Sequence, residues 1–434
     1  NAVLDQYGRL GARKGFSTLT ASGELTKLGT SAIRGIKELS LANADNPLVA
    51  WGNNKIFLVE DDADTLDGLT EFTLPVGYTI ANDDWSVVDF NQKLYFFSAG
   101  NDALMTDSTL IATPELDTVD NQSLDSVPAT PQGGVAMGAF GRLWVGGIPS
   151  EPSKLYWSDL LIGESFTEGN SGSIDLTTVW PNGYDEIRGL ASHNEKLIIF
   201  GKKSIVMYTG AASPASMELY DAVAGVGVSY KGTVAATGDD VFYLSETGLR
   251  SVGRTVDQTG SLPINDVSNN IRSNLLNAVR TEGILYSADV DTGGISAEYS
   301  PEEAFFLLHF WSSGRTYCFD MRGELEDGSR RVTIWPGSPF KCSYRAEDGT
   351  LYVGGEAGIG TYDGYTDDGD SYQYSFESPI LTFGDSARLK ILKRITPTFI
   401  GGGLATATIS WGYGFGAGYT SQVIQLAAGV VAEY

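Results

Sequence analysis

Residues Phe340 to Gly369, FKCSYRAEDGTLYVGGEAGIGTYDGYTDDG, spell out one structural unit. Apolar residues alternate through Phe340, Cys342 and Tyr344, an Asp-Gly turn follows, then Leu351-Tyr352-Val353, glycines, and Ile359 to Tyr362. Period-two alternation punctuated by Asp-Gly and Gly-Gly predicts short antiparallel strands joined by tight turns. The unit recurs. Aligned on the first apolar residue after the polar turn, it is found at Ile56, Leu94, Leu143, Leu197, Val241, Phe305 and Leu351, at intervals of 38, 49, 54, 44, 64 and 46 residues. Units of about 40 to 50 residues with three or four strands each match the blades of a β-propeller, whose ring must close before every sheet face is covered.

The sequence therefore predicts an all-β, multi-bladed β-propeller of about seven units over residues 42–364. Residues 1–41 hold strands that complete the last blade or replace one, which leaves six or eight blades open. One inserted helix is expected at residues 265–280, where Val267, Ile271, Leu275 and Val279 fall four apart and Gly283 stands just beyond. Residues 365–434 change pattern. Tyr372–Phe383, Arg388–Phe399 and Leu404–Trp411 read as longer alternating strands of a small C-terminal β-sheet. No apolar run reaches the roughly 20 residues of a membrane span, so none is expected.

Charge narrows the function. With 54 acidic and 29 basic residues the formal charge is −25, which opposes a protein that grips nucleic acid through its phosphates. It leaves room for one past which DNA slides. Glu60, Asp61, Asp62, Asp64, Asp83, Asp84 and Asp89 are the densest acidic set and the candidates to face a channel. Arg9, Arg13 and Lys14, with Arg388, Lys390, Lys393 and Arg394, are the basic candidates for protein interfaces.

Catalytic chemistry finds little support. With only two histidines, His193 and His309, histidine metal sites and triads are all but excluded, and both are expected to be structural. Cys318 and Cys342 are read as small buried hydrophobes rather than a disulfide. The Asp61–Asp67 and Asp363–Asp370 clusters lack calcium-loop spacing. Ser158 to Phe166 faintly resembles the Asp-box turn of sialidases, but it occurs once and has no arginine cluster beside it. No catalytic residue, cofactor or metal is expected.

Several stretches resemble the tail nozzle and hub proteins of short-tailed bacteriophages. They are NAVLDQYGRLGARKGF (Asn1 to Phe16), LYWSDLLIGESFTEGNSGSIDL (Leu155 to Leu176), IRGLASHNEKLIIFGKKSIVMYTG (Ile187 to Gly210), Asn265 to Ser268, LYVGGEAGIGTYDGYTDDG (Leu351 to Gly369) and SPILTFGDSARLKILKRITPTF (Ser378 to Phe399). Their succession covers nearly the whole chain. The resemblance implies a virion tail protein with a propeller, assembled as a ring, usually a homohexamer, below a portal-adaptor ring. Such a ring continues the DNA channel, passes or retains DNA without tight binding, and holds tail fibres or a tail tip. The competing readings are a carbohydrate-binding or glycan-hydrolysing propeller and a monomeric protein-interaction propeller.

Overall fold

The computed structural model describes residues 1–4, 9–20, 23–29, 31–42, 46–62, 65–111, 124–127, 129–257, 267–288, 294–378, 381, 384, 391, 393–399, 405–412, 418–426 and 432–433. They form two compact units, Asn1–Tyr374 and Ser375–Tyr434. The first is a seven-bladed β-propeller.

Each blade is an antiparallel meander. In blade 2 the strands Ser86–Phe90, Lys93–Phe97, Ala103–Asp107 and Asp125–Val127 pair in order from the inside out. Blades 1, 3, 4 and 6 repeat the arrangement, beginning at Gly35–Glu38, Val135–Ala139, Ile187–His193 and Ile295–Ser300. Blade 5 has three strands among the described residues, Val234–Ala236, Val241–Ser245 and Gly248–Ser251. Tight turns set the registers. Asn53-Asn54, Asn91-Gln92 and Asn194-Glu195 all have positive φ at both central positions, the backbone that a two-residue hairpin turn requires and asparagine tolerates.

The alignment on polar turns is corrected at one point. Leu94, Leu143, Leu197, Val241, Phe305 and Leu351 follow the turn between a blade's first and second strands, whereas Ile56 follows the turn between its second and third. In blade 1 the equivalent residue is Leu48, so the short first interval reflects a hairpin counted one step late.

Blade 7 is made from both ends of this unit. Its inner strands are Phe340–Arg345, Leu351–Gly355 and Gly358–Thr361, and its outer strand is Ser17–Thr18, paired as Gly360↔Thr18 and Thr361↔Ser17. Strand Phe340–Arg345 in turn packs beside Gly35–Glu38 of blade 1, which completes the ring.

Seven apolar clusters fill the seven gaps between blades. Leu94 and Phe96 point into the gap with blade 1, beside Trp51 and Trp85. Tyr95 and Phe97, one residue out of phase, enter the gap with blade 3 beside Leu143 and Phe166. Both faces of each inner sheet are thus buried, which is why the strands read as continuous apolar runs. Burial of this kind, at about 25 cal/mol per Å² of apolar surface, is what holds a propeller together.

The helix differs from its expected bounds. It runs Arg272–Ala288 after a 3-10 turn at Asn269–Ile271, and Gly283 lies inside it. The apolar stripe holds nonetheless: Val267, Leu275 and Val279 are buried between blades 5 and 6, with Ile271 at the margin. The Ser268 hydroxyl accepts from Leu249 N–H at 3.0 Å and the Val267 carbonyl from Arg330 N–H at 2.9 Å, so hydrogen bonding rather than helix begins the segment.

Among its described residues the second unit has two two-stranded sheets, Thr398–Phe399 with Ala432–Glu433 and Thr406–Gly412 with Tyr419–Gln425; the start of the expected strand from Arg388 and the end of that from Tyr372 lie outside the described residues. Residues 372–378 form no strand despite their alternation. No described residue of this unit is buried.

Candidate functional site

The innermost strands of all seven blades surround an axial cavity of about 300 Å³. Arg34, Arg188, Lys231, Asp84, Trp51 and Trp311 give it a mixed polar and aromatic wall. Lys231, at the entrance to blade 5, reaches across the axis: its ammonium donates to the carbonyls of Asp84 at 2.8 Å and Gly134 at 3.3 Å and pairs with the Asp84 carboxylate at 2.6 Å. The Arg34 guanidinium lies 5.1 Å from the centre of the Trp311 ring. Arg188 donates to Glu186 and to the Ser229 carbonyl, each at 2.7 Å. These cations brace the blades to one another.

The acidic candidates separate. Asp83 is buried and accepts from Asn54 N–H at 2.9 Å and from the Trp85 indole at 3.2 Å. It is a structural acceptor at the wall of the axial cavity. Asp84 is committed to Lys231 in the propeller's own axial cavity. Asp89 accepts from Ser40 N–H at 3.3 Å at the edge of an open recess shared with Glu347. Glu60, Asp61 and Asp62 fall in the strand Lys55–Asp62, but their side chains lie outside the described residues, as does Asp64.

The basic candidates separate too. Arg13 was expected to face partners and instead is 1% exposed. Its guanidinium grips Asp367 through two bonds of 2.9 and 2.6 Å, donates to the Lys14 carbonyl, and lies 4.4 Å from the centre of the Tyr372 ring. Two-pronged arginine–carboxylate geometry of this kind is strong and directional. Beside it Asp368 accepts from Thr18 through both backbone and hydroxyl, each at 2.6 Å. The acidic run after Tyr365 therefore clasps the N-terminal segment to blade 7. Lys14 pairs with Glu303 at 2.6 Å, and Arg9 is exposed. Lys393 and Arg394 are exposed on the second unit, and Arg388 and Lys390 lie outside the described residues.

His309 and the two cysteines are enclosed. His309 is fully buried, with Nδ1 2.9 Å from the Thr316 hydroxyl and Nε2 2.8 Å from that of Ser343, so it ties blade 6 to blade 7. Burial pulls its pKa down to about 3, which keeps the imidazole neutral. Cys318 and Cys342 are free and buried, and burial pushes both thiols up. Glu298, on the innermost strand of blade 6, is raised to about 7 by burial, against the opposing pull of Lys37 and Arg345. Asp159, in the turn that resembles an Asp box, is held below the carboxylate range by the N–H groups of Asn170 and Leu160. That is loop closure within blade 3. Among the described residues no three His, Cys, Asp or Glu side chains converge as a metal site, and no helix is long and apolar enough to cross a membrane.

No family model and no curated protein matches the chain. Solved structures do. The extracellular domain of the B. thetaiotaomicron one-component system BT4673 is 13% identical over 80% of this chain, with a TM-score of 0.47. The WD40 propeller domain of Doa1 is 11% identical over 81% of this chain and 96% of its own length, with a TM-score of 0.42. YCF48 from Cyanidioschyzon merolae is 10% identical over 81% and 98%, with a TM-score of 0.45. The chain spans 40% of the BT4673 chain. At these identities the likeness is of fold alone; the class, a seven-bladed β-propeller, is defined by the chain's own strand order.

Proposed function

We propose that this chain is a structural subunit of a short bacteriophage tail, a nozzle or hub protein that assembles as a ring, with a hexamer the expected count, and continues the DNA channel. The observation that carries the reading is the ordered succession of family-like motifs from Asn1 to Phe399. Two of them meet in space: the opening segment and the Asp-rich run after Tyr365 form the Arg13–Asp367 and Thr18–Asp368 clasp. A link between motifs some 350 residues apart in sequence supports reading them as one inherited design.

In this reading the conduit is the lumen of the ring, since the propeller's own axis is bridged by Lys231. A net charge of −25 offers DNA phosphates no counterion-releasing clamp, which suits passage without adhesion. The ring meets a portal-adaptor ring on one side and fibres or a tail tip on the other, and its place is the virion.

Native mass spectrometry and light scattering of the purified chain test the assembly. A closed ring that fails to retain duplex DNA at 0.15 M salt is the expected result. A monomer at every concentration, or tight duplex binding at that salt, sinks the proposal.

A further inference from the structure

We propose that the C-terminal unit of one copy docks against the outer strand of blade 4, Glu218–Ala224, of a second copy, with Lys393 and Arg394 facing Glu218 and Asp221, and Ile391 and Ile395 covering Leu219 and Tyr220. This deepens the ring reading and rests on it, because it requires copies of the chain to meet.

The first observation is that no described residue of this unit is buried. In the hairpin Thr406–Gly412 with Tyr419–Gln425, Ala407, Ile409 and Trp411 share a face with Ile424, and all are only half-buried. Ile391 is 76% and Ile395 43% exposed. A two-stranded hairpin is marginal in water without a further layer.

The second is charge. Ser375–Tyr434 holds four basic residues, Arg388, Lys390, Lys393 and Arg394, against Glu377, Asp385 and Glu433, in a protein that is otherwise strongly acidic. The surface complementary to it is thus present on every copy.

The third is the shape of that surface. Strand Glu218–Ala224 is the outermost of blade 4, with Leu219 52% and Tyr220 55% exposed between Glu218 and Asp221. The margins of two other blades are occupied: Asn1 and Ala2 bond to Ile334 and Trp335 on the outer strand of blade 6, and the helix segment bonds to Leu249 on that of blade 5. A bulge between Met207 and Tyr208 and two carboxylates guard the blade 4 edge against casual strand pairing. Carboxylates that repel most strands favour a cationic, aliphatic one.

Charge reversal tests the contact. Glu218→Lys with Asp221→Lys, and separately Lys393→Glu with Arg394→Glu, should each weaken self-association about tenfold or more, and the chain carrying all four changes should recover most of it. All four residues lie outside the core, so circular dichroism and melting temperature should not move. An independent check mixes a Leu219→Cys chain with an Ile395→Cys chain under mild oxidation. The native cysteines are buried, so a disulfide between the two chains supports the docking, and its absence overturns it. Assembly unaffected by either reversed pair, or no recovery in the fourfold variant, overturns the docking and leaves the ring reading standing. A wild-type monomer at all concentrations overturns both.

Discussion

The propeller and the C-terminal unit are built from the same strand chemistry and reach opposite ends of packing. In blade 4 the strand Lys196–Gly201 buries Leu197, Ile198, Ile199 and Phe200 against neighbours on both faces. In the second unit the strand Thr406–Gly412 alternates as regularly, yet no residue of it is buried. Alternation specifies a strand; a second sheet placed against it specifies a core. The propeller supplies that second sheet seven times from its own chain. Among the described residues of the C-terminal unit no sheet covers the hairpin.

The largest test of the contrast is the clasp. Arg13→Ala removes a buried cation and strands Asp367 beside Tyr372 in the seam where the ring closes. Breaking one side of a buried pair costs about 3–5 kcal/mol, so the propeller's melting temperature should fall by several degrees. A change indistinguishable from that of an exposed-residue control would show that blade 7 closes without the clasp.

The next test uses pH, because the propeller holds two titrating groups of opposite sign, one buried and one partly buried. His309 has its pKa depressed from 6.5 to about 3, so the folded state binds fewer protons than the unfolded state and stability is lost as pH falls below 6.5. Glu298 has its pKa raised from 4.5 to about 7, so its contribution is complete below 4.5 and is lost as pH rises through 7. Between pH 4.5 and 6.5 the two slopes oppose. Glu298→Gln should therefore stabilise the chain at pH 8 relative to its effect at pH 4.5, by about 1–2 kcal/mol once the screening of a partly buried group is allowed for. Urea titrations at the two values read this directly, and equal effects at both would remove the assigned burial.

How much of this was legible follows from the range of each interaction. Turn chemistry and alternation act over a few residues, so the seven units, the aromatic strands and the apolar stripe Val267, Leu275, Val279 could be read from sequence. The misplaced Ile56 shows the limit, because the Asn53-Asn54 turn has the same local signature as a first-to-second strand turn and only pairing tells them apart. The clasp was illegible for a different reason. Arg13 and Asp367 are ordinary charges in sequence, and the fold, not their surroundings in the chain, makes them partners. Asp83 and Asp84 show the same limit: they look alike in sequence, but one caps a backbone N–H under Trp85 and the other meets Lys231 across the axis.

The smallest expected effect comes from the other side of the comparison. Ile409 sits mid-strand, opposite Gln422, on the one apolar face of the C-terminal hairpin. In the propeller a mid-strand isoleucine such as Ile199 is fully buried, and its replacement by alanine should cost about 2–5 kcal/mol through lost burial and the cavity left behind. Ile409→Ala leaves no cavity, since water already reaches one side, and surface substitutions away from special features stay within about 0.5 kcal/mol. The monomeric chain should accordingly show no shift in its main melting transition. The assembled form is a sharper probe. If the hairpin face is covered in the ring, Ile409→Ala should weaken assembly while sparing the monomer, whereas Ile199→Ala should lower both. A loss of monomer stability on Ile409→Ala comparable to that of Ile199→Ala would mean that the C-terminal unit has a core of its own, and the contrast between the two regions would fail.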